Sequence, residues 1–234
     1  MIRNLMFDAD GTLWDSAPPV TDSWNEVLKK YPETAHIRIT AQDMYRYMGH
    51  TMIELCCKML PIPDDAEAAA CGMQGDPGHL CPALTPARRR EIMQECMDFE
   101  LEWLEQHSGV FYPRVRETLE ALKAAGCRLF IVSNCQDGYI QVLMRQGRLE
   151  ALIEDFESYG RTQEDKAANI RRVMARCGLK PEETVYVGDT AMDEAAADGA
   201  GIAFWHASYG FGTADHPAAV LKAFEALPGL AKAR

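Results

Sequence analysis

Residues able to do chemistry collect at four places along this 234-residue chain. Asp8-Ala9-Asp10-Gly11-Thr12 follows the apolar run Asn4 to Phe7. Ser133-Asn134 follows Phe130-Ile131-Val132, and Gly188-Asp189-Thr190, with Asp193 four residues on, follows Thr184 to Val187. Lys166 stands in the first turn of a helical pattern behind a further apolar run. An open parallel sheet gathers its ligand groups at the carboxyl ends of its strands, where the strand order reverses. If the first run lies between the second and the fourth, these tips meet and bring three or four carboxylates within a few ångströms. Like charges that close cannot all stay ionised without a cation. Oxygen-only ligands with few protein carboxylates suit Mg2+, which shares an octahedral shell with water and substrate phosphate. Lys166, Ser133 and the backbone N–H groups after Asp8 supply the donors that a transferring phosphoryl group requires. Each residue also has a plainer reading. Thr190 with Asp193 is a capping-box pattern, Ser133 and Asn134 are turn formers, and Lys166 could be a solvated helix residue. The combination carries the inference; no single residue does.

The elements that must position these groups follow from periodicity. Asn4 to Phe7, Arg128 to Val132, Leu152 to Phe156, Thr184 to Val187 and Ile202 to Trp205 read as buried strands. Between them lie amphipathic helices. One runs over Arg114 to Ala125 with Pro113 at its start, and another over Gln163 to Cys177 with Thr162 and Asp165 spaced as a capping box. Alternating strand and helix predicts an α/β fold, a doubly wound parallel sheet with helices on both faces.

Ser16 to Val110 holds helical patterns and no convincing strand, which predicts an all-helical insertion in a core made of residues 1–15 and 111–234. Its last helix is capped by Thr85, carries Pro86 in its first turn, repeats Ile92, Cys96, Phe99 and Trp103 at helical spacing, and ends by Gly109. Gly49-His50-Thr51 separates two helical segments, with Arg46 close by.

Composition narrows the classes of function. Hydrophobic residues make up 47% of the chain and charged residues 25%, the balance of a globular protein. The net charge of -11 argues against a nucleic-acid partner, and an anionic small molecule would have to meet a local cation. No run of 18 apolar residues occurs and the N-terminal run is too short for a signal peptide, so the expectation is a cytoplasmic protein with no membrane partner, a monomer or homodimer. Eight scattered cysteines then read as reduced thiols, and Cys71, His79 and Cys81 as an ordinary loop lacking zinc-site spacing.

Asp8-Ala9-Asp10-Gly11-Thr12-Leu13, Ser133-Asn134, Lys166, and Gly188-Asp189 with Asp193 resemble, in order, the four motifs of haloacid dehalogenase superfamily phosphatases. The resemblance spans nearly the whole chain, including Asp198-Gly199-Ala200-Gly201, and is nearest to phosphoglycolate-phosphatase-like members. It implies Asp8 as nucleophile and Asp10 as general acid and base. It implies Mg2+ on the Asp8 carboxylate, the Asp10 backbone carbonyl and Asp189, with Asp193 in support, and phosphate oxygens on Ser133, Asn134 and Lys166. The insertion would be a cap, hinged near Asp15 to Pro19 and Val110 to Pro113, that reads the organic part of a small phosphorylated metabolite through Gly49, His50 and Arg46, with Trp24 a further candidate. A phosphomutase would carry the same motifs, and a silent phosphate-binding regulatory protein would keep the fold without turnover.

Overall fold

In the computed structural model, which describes residues 2–70, 72 and 74–233, the apolar runs become the inner strands of a parallel sheet. The chain order is β1 (Asn4–Phe7), β2 (Trp14–Asp15), α1 (Ala17–Leu28), α2 (Ala41–Tyr47), α3 (Met52–Met59), α4 (Ala66–Ala70), α5 (Pro86–Gln106), β3 (Val110–Phe111), α6 (Val115–Ala124), β4 (Arg128–Ser133), α7 (Tyr139–Gly147), β5 (Asp155–Ser158), α8 (Tyr159–Thr162), α9 (Lys166–Cys177), β6 (Thr184–Gly188), α10 (Ala191–Ala200), β7 (Ala203–Ala207), β8 (Ala219–Leu221) and α11 (Leu227–Ala233). Two compact units result: residues up to Asp15 together with those from Val110 onward, and residues 16–109.

The first unit is built on a six-stranded sheet of order β5-β4-β1-β6-β7-β8, parallel throughout. β1 lies between β4 and β6, with Phe7 opposite Ile131 on one side and Val187 on the other. The chain therefore winds outward in both directions from β1, and the order reverses there, as the doubly wound reading requires. Alternation along the strands divides the core in two. Met6, Phe130, Val132, Tyr186 and Phe204 face Ile170, Val173 and Ala197 of α9 and α10. Phe7 lies on the opposite face, its ring 5.6 Å from that of Phe224. β2 and β3 form a separate antiparallel pair, Trp14 opposite Phe111, through which the chain leaves this unit and re-enters it.

Several boundaries depart from the sequence reading. The third strand begins at Asp155, not Leu152, because Leu152 and Ile153 close a turn onto the Leu149 carbonyl. Its alternate acids disguised it, yet Arg176 neutralises Asp155 and Glu157 at 2.6 and 2.9 Å. The expected helix from Gln163 starts at Lys166. Gln163 has φ 58° and breaks the chain after the single turn α8, and Asp165 alone caps α9 by accepting from the Ala168 N–H. Arg114 is left-handed at φ 60°, so α6 starts one residue later than expected, outside the reach of Pro113. The fifth strand runs over Ala203–Ala207, and β2, β3 and β8, of two or three residues each, were too short to leave a periodic signal.

The second unit contains only helices and turns among its described residues. α1 packs on α5, and Trp24, fully buried, donates from Nε1 to the buried Glu100 Oε2 at 2.7 Å. Trp24 is thus a core residue of this unit and not a surface reader of substrate. Arg89 of α5, also buried, holds Asp65 at 2.9 Å and Glu67 at 2.7 Å, fastening the start of α4. Gly49 has φ 90°, and Thr51 and Glu54 form a capping box that starts α3. Cys71 lies outside the described residues. Cys81 is buried with its thiol donating to the His79 carbonyl at 3.3 Å. Among the described residues no helix is long and apolar enough to cross a membrane.

Candidate active site

The tips of β1, β4 and β6 and the start of α9 bring most of the sequence candidates together. Asp8 directly follows β1 and is 2% exposed, its N–H donating to the Val187 carbonyl at 2.9 Å. The chain then turns sharply: Leu13 N–H donates to Ala9 at 2.8 Å and Gly11 N–H to Trp14 at 3.0 Å. Gly11 has φ 73°, and a Cβ there would fall 2.1 Å from Asp189 Oδ2, so only glycine fits where the two motif loops touch. Asp10, on this turn, is half-buried, and its Oδ1 accepts from the Tyr139 hydroxyl at 2.8 Å. Ser133, buried, and Asn134, half-buried, close β4 beside it.

Lys166 is 4% exposed, with Nζ 3.1 Å from Asp8 Oδ1 and 2.6 Å from Asp193 Oδ1. Asp193 is saturated. Its Oδ2 accepts from the Asp189 N–H at 3.1 Å, the Thr190 N–H at 3.0 Å and the Thr190 hydroxyl at 2.8 Å. The capping-box reading and the site reading of Asp193 are therefore both satisfied by one carboxylate, which braces the turn and orients Lys166. Asp189 differs. Its Oδ2 accepts from the Phe211 N–H at 2.7 Å, while its buried Oδ1 has no hydrogen-bond partner among the described residues.

Three buried carboxylates thus face one ammonium. Burial pushes the Asp8 carboxyl up to about 7; Lys166 pulls the other way, and Asp193 and Asp10 add to the rise. Burial, then Asp193 and Asp8, likewise raise Asp189 well above the usual carboxylate range. Burial opposes the charge on Lys166, but Asp193 and Asp8 outweigh it and hold the proton more tightly than in free lysine. Carboxylates this desolvated need a further cation to be ionised together. Oxygen atoms of Asp8, Asp189 and Asp193 lie within 4.8 Å of one another, and the orphaned Asp189 Oδ1 is a donor atom with no other use. This set fits a hard divalent cation such as Mg2+. The other acid group, Asp65 and Glu67 with Cys57, already has its cation in Arg89.

The loop after β7 was not singled out from sequence, yet it completes the site. Besides Phe211, it places the Tyr209 hydroxyl on the Thr12 carbonyl at 3.0 Å, and His206 Nε2 lies 3.1 Å from the Asp189 carbonyl. The run Tyr209-Gly210-Phe211-Gly212 at a strand end was the available signal. Gly49, His50 and Arg46 belong to the other unit. There the His50 ring meets Glu54 at 3.4 Å and Arg46 lies 3.8 Å from Asp76.

Comparison with known proteins places the chain in a family. A family described as haloacid dehalogenase-like hydrolase matches residues 5–207. Phosphoglycolate phosphatase of Pseudomonas syringae pv. tomato is 30% identical over 212 residues, 88% of this chain and 70% of that protein. The phosphoglycolate phosphatase of Nitrosospira multiformis is 26% identical over 90% of this chain and 85% of its own length. Among solved structures, a predicted phosphoglycolate phosphatase from Haemophilus somnus superposes with a TM-score of 0.78 at 22% identity, covering 98% of this chain and 97% of that one. A haloacid dehalogenase-like family hydrolase from Streptococcus pneumoniae gives 0.73 at 19% identity, covering 100% and 99%. At these identities the structural likeness speaks to fold.

Proposed function

The chain belongs to the haloacid dehalogenase-like hydrolases, and from that premise we propose that it is a Mg2+-dependent phosphatase acting on a small phosphate monoester by way of phosphorylated Asp8. The observation that carries this reading is the meeting of Asp8, Lys166 and Asp189 at the point where the sheet order reverses, with Asp189 Oδ1 buried and unpaired. When bound, Mg2+ supplies charge neutralisation for the nucleophile and the phosphoryl oxygens, held by the carboxylates of Asp8 and Asp189 and the backbone carbonyl of Asp10.

Asp8 attacks phosphorus in line with the leaving oxygen while Lys166, Ser133 and Asn134 hold the equatorial oxygens. Asp10 gives its proton to the leaving oxygen as the P–O ester bond breaks. Now ionised, Asp10 takes a proton from the water that attacks the phosphorus of the aspartyl phosphate. The bond to Asp8 breaks, inorganic phosphate departs, and both carboxyl groups are restored. The second unit, residues 16–109, would act as the cap that reads the organic part of the substrate through Gly49, His50 and Arg46. The partner is a small phosphorylated metabolite. The phosphoglycolate named for the curated relatives is the first ester to assay.

A panel of phosphorylated metabolites and a generic aryl phosphate, with Mg2+ and then with EDTA, tests the proposal. Release of inorganic phosphate in Mg2+, lost in EDTA and restored by Mg2+, is the expected result, with Ca2+ inhibiting because its larger, looser shell misplaces nucleophile and phosphorus. Isomerised ester without free phosphate would make the protein a phosphomutase, and binding without turnover a regulatory protein.

A further inference from the structure

Tyr139 is not among the four motifs, yet it touches the group that moves the proton. It is the first residue of α7 and only 3% exposed. Gly138, at φ 91°, turns the chain so that the phenol points back toward the end of β1, where its hydroxyl donates to Asp10 Oδ1 at 2.8 Å. The ring is held as well. It stands edge-on to Trp14, centroids 5.6 Å apart at 72°. Trp14 is itself fully buried, packs on Phe111 at 5.5 Å, and closes the Asp10 turn by accepting from the Gly11 N–H. Trp14 therefore braces both, the loop carrying Asp10 through its backbone carbonyl and the phenol that bonds to Asp10 through its indole.

A carboxyl that gives a proton in one step and takes one in the next has two oxygens, and only the one facing the substrate is useful. A hydroxyl donor must meet a lone pair, so Tyr139 keeps Oδ1 as an acceptor and leaves the proton to Oδ2. It also fixes rotation about the Cβ–Cγ bond. Resting on the reading of Asp10 as general acid and base, we propose that Tyr139 is a positioning residue which selects the oxygen of Asp10 that carries the proton.

Tyr139→Phe removes the hydroxyl and keeps the ring. kcat/KM should be measured in Mg2+ for wild type and variant on p-nitrophenyl phosphate, whose leaving group needs little protonation, and on β-glycerophosphate, whose alkoxide needs it fully. The expected result is a fall of about tenfold on the alkyl ester, less than about twofold on the aryl ester, and a melting temperature near that of wild type. Equal losses on both esters, no loss on either, or a fall in melting temperature that accounts for the loss would make Tyr139 a packing residue and overturn the assignment. Wild-type protein inert toward both esters would instead overturn the acid–base reading of Asp10, and this assignment with it.

Discussion

Asp189 and Asp193 stand four residues apart with the same side chain, yet their surroundings give them different work. Every acceptor position that Asp193 uses is met by the protein, whereas Asp189 keeps one buried oxygen unclaimed. Asp189→Asn should therefore leave the fold near wild-type stability, since the amide oxygen can still accept from Phe211, but abolish the rise in melting temperature expected with Mg2+. In wild type that expected rise corresponds to about 2.7 kcal/mol at a Mg2+ concentration 100 times Kd. Asp193→Asn should instead cost about 3 kcal/mol in urea unfolding without Mg2+, because Lys166 is left buried with one partner fewer. Equal behaviour of the two variants would contradict this division. At this scale the sequence was legible where chemistry is contiguous, as in Asp8-Ala9-Asp10-Gly11-Thr12. It was silent where partners are far apart: Tyr139 lies 129 positions from Asp10, and the Phe211 N–H lies 22 from Asp189. No local pattern records such pairings.

Elements were legible in proportion to their length and apolarity. The four-residue β1 and the six-residue β4 are buried runs flanked by turn chemistry, whereas β5 alternates acids that Arg176 and Arg161, both outside the strand, neutralise, and β8 is three residues long. The caps at Thr85 and Thr190 were legible, the capping box read at Thr162 and Asp165 did not form, and the one at Thr51 and Glu54, not read from the sequence, gives a pH-dependent prediction. The Glu54 carboxyl, at the start of α3, is held down to about 2 by the His50 ring and by the N–H and hydroxyl of Thr51, against the opposing effect of burial. A carboxylate whose folded pKa is depressed contributes stability that is present above its unfolded pKa, about 4.3, and lost as the pH falls toward the folded value. Glu54→Gln should thus cost about 1 kcal/mol at pH 7 by urea unfolding, with the difference from wild type shrinking between pH 4.5 and pH 2. A difference that stays constant through that window would show that the charge on Glu54 contributes nothing.

For the molecule as a whole, the sheet unit carries every proposed catalytic side chain, and the helical unit joins it through the β2 and β3 pair. If the helical unit selects the substrate, mutation there should redistribute activity among esters and spare the chemistry. His50→Ala should change kcat/KM unequally across a panel of phosphate esters, by about 1 to 3 kcal/mol for the preferred one, the scale of one specific polar contact. A uniform loss would signal damage to the α3 cap, where His50 meets Glu54. The doubly wound sheet and the helical insertion could be anticipated because periodicity changes abruptly near residues 16 and 110. The loop after β7 was missed, since the group it brings to Asp189 is the Phe211 backbone N–H, to which only the glycines on either side point.

The proposed mechanism requires Asp8 to become covalently phosphorylated, and that can be observed directly. Wild-type protein mixed with Mg2+ and an excess of p-nitrophenyl phosphate, quenched in acid within the first turnover and digested, should yield a peptide containing Asp8 that carries one phosphoryl group. The label should be absent from Asp8→Asn, which should also have lost turnover. A turnover-competent protein with no phosphoryl group on any peptide, or with the group on a residue other than Asp8, would contradict the mechanism.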